Sequence, residues 1–246
     1  MNIYSTIYKA SQSGRKQFAV LIDPDKPSTD QLLDIINQAN QSEVDYFFVG
    51  GSLITRDRLD QTLNTIKANS DIPAILFPGS TLQISSKADA ILFLSLISGR
   101  NPEMLIGNHV VAAPYIYEAG LEAISTGYIL VESGSTTTAL YMSNSMPVPR
   151  SKPEIAMCTA MAGDMLGMKL IYMDGGSGAD QPVPEQMIKA VKQHISAPLI
   201  VGGGIRTPEQ AEKACNAGAD IIVVGNATEK DVDIIRQFSK VIHSIS

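Results

Sequence analysis

Three glycine-bearing stretches hold most of the residues that could do chemistry. Val201-Gly202-Gly203-Gly204-Ile205-Arg206-Thr207 follows an apolar run and precedes a helical pattern. Glycines let backbone N–H groups approach an anion closely, and a helix start adds partial positive charge. Val223-Val224-Gly225-Asn226-Ala227-Thr228 closes the next apolar run in the same way. Leu170-Ile171-Tyr172-Met173-Asp174-Gly175-Gly176-Ser177-Gly178-Ala179 ends a third run in a glycine-serine loop, whose N–H groups and Ser177 hydroxyl suit a phosphate. Neither of the first two stretches completes a P-loop or a dinucleotide fingerprint. A tight glycine turn with no ligand accounts for any one of them read alone.

Asp174 stands at the mouth of its strand, where a carboxylate can accept a proton from a substrate hydroxyl. As a lone residue it can also be read as the side chain of an Asx turn. Tyr172 is either a hydrogen-bond donor to substrate or a core aromatic. Near the N-terminus, Asp23-Pro24-Asp25-Lys26 offers two carboxylates one residue apart in a loop stiffened by proline. Mg²⁺ takes one or two such carboxylates with phosphate and water. Val49-Gly50-Gly51-Ser52 supplies a hydroxyl that neighbours this loop if the strands close into a barrel. The same DPDK segment also reads as a solvated turn.

Short apolar runs at residues 18–22, 46–49, 74–77, 90–94, 128–131, 170–173, 199–201 and 221–224 predict eight strands. Several are apolar throughout, as in a parallel sheet buried on both faces. Helical patterns at 28–40, 208–217 and 228–245 alternate with them. Strand-then-helix repetition predicts α/β architecture, and eight units favour a closed (β/α)₈ TIM barrel over an open sheet. No composition shift marks a second domain, so residues 1–246 read as one barrel. The stretches 95–125 and 143–152 read as loops or flanking helices over the active face.

The chain has 246 residues, 44% of them hydrophobic and 18% charged, enough for a full core. The formal net charge of −6 argues against nucleic-acid binding, which needs a basic face. Cys158 and Cys215 lack metal spacing and read as two buried thiols in a reducing cytosol. His109, His194 and His243 have no partner at ligand spacing and read as surface or core residues. With no secretory signal and no apolar run of membrane-span length, the protein is expected to be soluble and cytoplasmic.

Taken together, Asp23-Pro24-Asp25, Gly50-Gly51-Ser52, the loop from Tyr172 to Ala179, Gly202-Gly203-Gly204-Ile205 and Val224-Gly225-Asn226 resemble the geranylgeranylglyceryl phosphate synthases. The resemblance runs from about residue 15 to the C-terminus. It implies a prenyltransferase that joins the C3 hydroxyl of sn-glycerol 1-phosphate to C1 of a polyprenyl diphosphate. It implies Mg²⁺ on Asp23 and Ser52. It places glycerol phosphate on Tyr172, Met173, Asp174, Gly175, Gly176, Ser177, Gly178, Gly203, Gly204, Gly225 and Asn226. Asp174 falls where many members carry a glutamate that activates the glycerol hydroxyl; aspartate is one methylene shorter. The resemblance further implies a barrel altered around its third helix, in line with the weak helical pattern between Phe77 and Asp89, and a homo-oligomer, dimer or hexamer. Phe77, Leu94, Leu96, Ile97, Pro114, Tyr115 and Tyr117 are candidates for a groove holding the apolar tail. The stretch from Gly127 to Ser135 resembles the fifth strand and a mobile loop above that groove. Two other readings remain. One is a different phosphate-binding barrel enzyme, a sugar-phosphate isomerase or aldolase. The other is a barrel that binds a phosphate ligand without catalysis.

Overall fold

A computed structural model describes residues 2–245. Eight parallel strands close on themselves: β1 (Gln17–Ile22), β2 (Tyr46–Val49), β3 (Ala74–Leu76), β4 (Ala90–Leu96), β5 (Glu122–Leu130), β6 (Leu170–Asp174), β7 (Leu199–Gly202) and β8 (Ile221–Val224). Closure is by β1, where Ala19 pairs with Tyr46 of β2 on one side and Val223 of β8 on the other. The period of two in each strand divides the apolar residues into two cores. Tyr46, Phe48, Leu92, Leu170, Tyr172, Ile200 and Val223 fill the barrel interior. Phe47, Val49, Ile171, Met173, Val201 and Ile222 point outward against the helices.

Helix α1 (Ile3–Gln12), absent from the sequence-based expectation, packs Ile3 and Ile7 with the interior residues. Its first N–H groups, on Ile3 and Tyr4, donate to the Glu122 carboxylate at 2.6 and 3.0 Å. Strand β5 begins six residues before the expected 128, because its ladder with β4 starts where Ala90 meets Glu122. Helix α2 (Thr29–Gln41) starts at a reciprocal cap: the Gln31 N–H donates to Ser28 Oγ, and the Ser28 N–H to Gln31 Oε1. After α3 (Leu59–Asn69) and β3, residues 77–89 form no helix, in keeping with the expected alteration of the barrel here.

A π-helical turn, Glu103–Gly107, then runs directly into α4 (Asn108–Glu118), so 95–125 holds the end of β4, these two elements and the start of β5. Beyond β5 come α5 (Thr138–Ser143) and α6 (Pro153–Met165), and α7 (Glu185–Lys192) joins β6 to β7. Helix α8 (Pro208–Asn216) joins β7 to β8. The last expected helix, 228–245, is two: α9 (Asn226–Lys230) and α10 (Ile234–His243), parted around Asp231 and Asp233. The expectation of two buried thiols is also corrected. Cys215 is buried, and burial pushes its thiol up to about 12, but Cys158 is exposed. Helix α6 buries the stripe Ala156, Ala160 and Gly163, and Cys158 lies off it.

Candidate active site

The three glycine turns converge at the C-terminal mouth of the barrel. One polar cavity is lined by Tyr172, Asp174, Gly176, Ser177 and Gly178 after β6, by Gly203 and Gly204 after β7, and by Gly225 and Asn226 after β8. Among the described residues, the N–H groups of Ser177, Gly178, Gly203, Gly204 and Gly225 have no protein acceptor. Such a set of donors around one space is an anion cradle. Gly203 is indispensable to its shape: its φ is +76°, and a Cβ there would lie 2.3 Å from Asp174 Oδ1. The start of α8 does not contribute as the sequence suggested. Its donors are taken internally: Gln210 Oε1 accepts from the N–H groups of Arg206 and Thr207, and Thr207 Oγ1 from that of Gln210.

Two of the expected phosphate contacts lie apart from the cavity. Met173 is fully buried among outward-facing core residues, because alternation along β6 sends 170, 172 and 174 inward and 171 and 173 outward. Gly175 is not part of the cavity wall either; its N–H donates to Gly202 O at 3.1 Å and ties β6 to β7.

Asp174 sits at the boundary of this space with 6% of its surface exposed. Its Oδ2 accepts from the Tyr128 hydroxyl at 2.6 Å and its Oδ1 from the Gly176 N–H at 2.7 Å. Burial raises its carboxyl above the ordinary value, and the two hydrogen bonds offset that only in part. The result is a carboxylate that holds a proton more readily than an exposed one. Tyr172 lies beneath it, stacked on Phe77 with ring centroids 5.1 Å apart.

Across the mouth, Asp23 and Ser52 both line the cavity, as does Lys26. Lys26 Nζ donates to Asn226 Oδ1 at 2.9 Å and lies 3.1 Å from Glu229 and 3.7 Å from Asp23. Asp23 Oδ1 accepts from the Asp25 N–H at 3.1 Å. Asp25 does not join it as a second ligand. Its carboxylate accepts from the Thr55 N–H and hydroxyl and from the Arg56 N–H, pinning the loop after β2. Burial pulls that carboxyl upward, but these bonds outweigh it and hold it below the ordinary value. Among the described residues no group of three or more His, Cys, Asp or Glu could hold a metal. One carboxylate and one hydroxyl still suit Mg²⁺, which takes its other ligands from phosphate and water. Gly51 keeps the carboxylate open on one side, since a Cβ there would sit 3.3 Å from Asp23 Cγ.

A second cavity adjoins the first. It lies where no helix joins β3 to β4, and Ile91, Leu92, Phe93, Leu94 and Leu96 of β4 form one wall. Met104, Asn108, Ala112 and Ile116 form the opposite wall, four residues apart along one stripe of the π-turn and α4. Of the expected tail-groove residues, Phe77, Leu94 and Leu96 line this cavity. Ile97, Pro114, Tyr115 and Tyr117 do not, and Tyr117 is 89% exposed on the far side of α4. Gly51, Ser52 and Phe77 belong to the walls of both cavities. Helix α5 roofs them both, with Thr138 over the polar one and Ala139, Met142 and Ser143 over the apolar one.

A profile of the PcrB family matches residues 11–242. The chain belongs to the PcrB family. It is 52% identical over 242 residues to a geranylgeranylglyceryl phosphate synthase of Chitinophaga pinensis, covering 98% of this chain and 96% of that one. It is 51% identical over 234 residues to a protein of the same name from Spirosoma linguale, covering 95% and 94%. Its fold is similar to the crystal structure of (S)-3-O-geranylgeranylglyceryl phosphate synthase from Thermoplasma acidophilum in complex with substrate sn-glycerol-1-phosphate. That likeness has a TM-score of 0.94 and 33% identity over the whole of both chains.

Several residues of this PcrB chain that face the two cavities had no role in the sequence-based reading. Lys26, Arg206 and Glu229 line the polar cavity. Lys26 was legible only as the end of the DPDK turn, and nothing in the sequence joins residue 26 to 226 or 229. Tyr128 was seen as a strand residue, without sign that its hydroxyl meets Asp174. His109 lines the apolar cavity with its ring edge-on to Phe93 at 4.5 Å and Nε2 3.0 Å from Ser95 Oγ. Burial lowers its pKa, which keeps the ring neutral among apolar neighbours. Lys169 lies before β6 with its ammonium over the Tyr4 ring, at the end of the barrel opposite the cavities. It is not at a strand mouth, where a Schiff-base lysine of an aldolase would stand.

Proposed function

We propose that this protein joins the C3 hydroxyl of sn-glycerol 1-phosphate to C1 of a polyprenyl diphosphate, releasing diphosphate. The observation that carries this reading is the pair of adjoining cavities. One is polar and cradled by unpaired N–H groups; the other is apolar; both include Gly51, Ser52 and Phe77. A small phosphate monoester fits the first and a long hydrocarbon chain the second. No sugar-phosphate chemistry needs the second cavity. Among the described residues no helix is long and apolar enough to cross a membrane.

The glycerol phosphate is held by the turns after β6, β7 and β8, with Ser177 and the glycine N–H groups on its phosphate. Its free hydroxyl then faces the junction of the cavities and Asp174. The prenyl chain lies along β4 and α4, which sets its first carbon at the same junction. Asp23 and Ser52, which both line this cavity, would hold Mg²⁺; when bound, the ion would compensate the negative charge that develops on the departing diphosphate. Lys26, beside Asp23, adds a fixed positive charge to that side of the site. Raised by burial, the Asp174 carboxylate is the acceptor for the proton lost by the glycerol hydroxyl. Holding both substrates at one point supplies much of the remaining acceleration.

Purified protein incubated with Mg²⁺, sn-glycerol 1-phosphate and a ladder of prenyl diphosphates is expected to yield an ether-linked glycerol phosphate, read by mass spectrometry. Absence of ether product with every chain length would overturn the reading.

A further inference from the structure

The hydrogen bond between Tyr128 and Asp174 joins the two cavities. Tyr128, on β5, lines the apolar cavity and not the polar one; Asp174, on β6, lines the polar cavity and not the apolar one. Their separation is 2.6 Å. Phe77, which faces both cavities, packs against the rings of Tyr128 and Tyr172 at 6.0 and 5.1 Å. Asp174 itself offers little room for an incoming hydroxyl. Its Oδ2 already accepts from Tyr128, its Oδ1 accepts from Gly176, and the Gly203 backbone walls Oδ1 so closely that no Cβ is tolerated. Tyr128 keeps partial exposure, while Asp174 is buried. The phenol oxygen, bonded to Asp174 through its proton, keeps a lone pair that can accept from a hydroxyl placed where the two cavities meet.

We propose that the Tyr128 hydroxyl takes the proton from the attacking glycerol hydroxyl while passing its own proton to Asp174. This rests on the prenyltransferase reading and adds a second catalytic residue to it. In the step, the bond between the glycerol C3 oxygen and the prenyl C1 forms and the bond from C1 to diphosphate breaks. The hydroxyl proton moves to the Tyr128 oxygen, and the phenolic proton moves to Asp174 Oδ2. After product leaves, Asp174 returns its proton to solvent through the polar cavity that it lines. No electron changes hands beyond these bonds. Burial and the adjacent carboxylate hold the Tyr128 phenol well above its ordinary value, so it enters the cycle protonated. The relay also accounts for an aspartate in this position, because the phenol spans the distance that a longer carboxylate would otherwise reach.

The test is single-turnover kinetics on Tyr128→Phe, Asp174→Asn and the double variant, with glycerol phosphate binding followed by calorimetry. The relay predicts that Tyr128→Phe loses about 10²–10⁴-fold in rate with binding unchanged. It also predicts that the double variant is no slower than the slower single one, as for residues acting as a unit. Two results would overturn it: Tyr128→Phe within about fivefold of wild type with its acid limb displaced, or a loss explained by weaker glycerol phosphate binding. In the first case Tyr128 only positions Asp174. A proton inventory on the wild-type protein gives an answer that needs no variant. Two protons in flight give a curved dependence on deuterium fraction, and a linear one contradicts the relay. Wild-type protein that makes no ether product would sink the transferase reading instead, an outcome distinct from either.

Discussion

Around the ends of β6, β7 and β8 the chain removes side chains; between β3 and β4 it removes a helix. The first omission bares backbone N–H groups and makes a polar cradle at the barrel mouth. The second bares the flank of the barrel, where β4 and the stripe Met104, Asn108, Ala112 and Ile116 enclose an apolar space. Both sites come from taking matter away from a regular barrel, but at different scales. The polar one depends on single backbone positions and tolerates almost no change. The apolar one depends on a volume shared by many side chains and can absorb change by repacking.

Gly203→Ala should break the polar side outright. The substitution forces a side chain into a left-handed conformation that costs about 1–2 kcal/mol and drives a methyl against Asp174 Oδ1. Turnover is expected to fall at least about 10²-fold, with weaker glycerol phosphate binding by calorimetry. Unchanged binding would mean that the cradle is not the phosphate site. On the apolar side, Ala112→Phe fills the middle of the α4 stripe. Long prenyl donors should lose about tenfold in kcat/KM, shorter donors less, and glycerol phosphate affinity should stay as in the wild type. Equal losses for all donors would show that the stripe does not follow the tail.

A smaller effect concerns stability. Burial raises the Asp174 carboxyl, so the native state binds its proton more readily than the unfolded chain does. Stability from this residue is full below the unfolded carboxylate value near about 4 and is lost as pH rises through the higher native value. Asp174→Asn should therefore melt higher than wild type at neutral pH, by about 2–4 °C for each kcal/mol relieved. The gap should close on acidification, as followed by thermal unfolding across pH. A variant that melts lower at pH 7 would contradict the assignment of burial as the dominant influence on Asp174.

The sequence carried the polar side better than the apolar side, for a physical reason. A glycine turn is local, so Gly176, Ser177, Gly203 and Gly225 could be named from a few adjacent residues. Even there, a motif read as a continuous string does not register the alternation that turns the Met173 side chain of β6 away from the cavity. The apolar cavity is made by residues from β4, the π-turn, α4 and α5, which no short window brings together. The α4 segment hides its role further: it is apolar on its cavity face, yet Val110, Val111, Tyr115 and Tyr117 are exposed on the other. With both faces apolar, the cavity stripe had no polar background to stand against. Tyr115 and Tyr117 were drawn into the groove for that reason, and Ala112 and Ile116 were passed over. The eight strands were legible because they are apolar on both faces, but β5 was cut short where Glu122, Ser125 and Thr126 interrupt its pattern.

In the proposed reaction the two cavities deliver their contents to one point. The most direct measurement is a crystal structure of the protein with Mg²⁺, sn-glycerol 1-phosphate and a thio-linked prenyl diphosphate that cannot react. The glycerol C3 oxygen is expected about 3–3.5 Å from the prenyl C1, beside Ser52 and Phe77, with the phosphate on Gly203 and Gly204 and the tail along Ala112 and Ile116. Both ligands competing for the polar cavity, or a tail lying outside the space between β4 and α4, would contradict it.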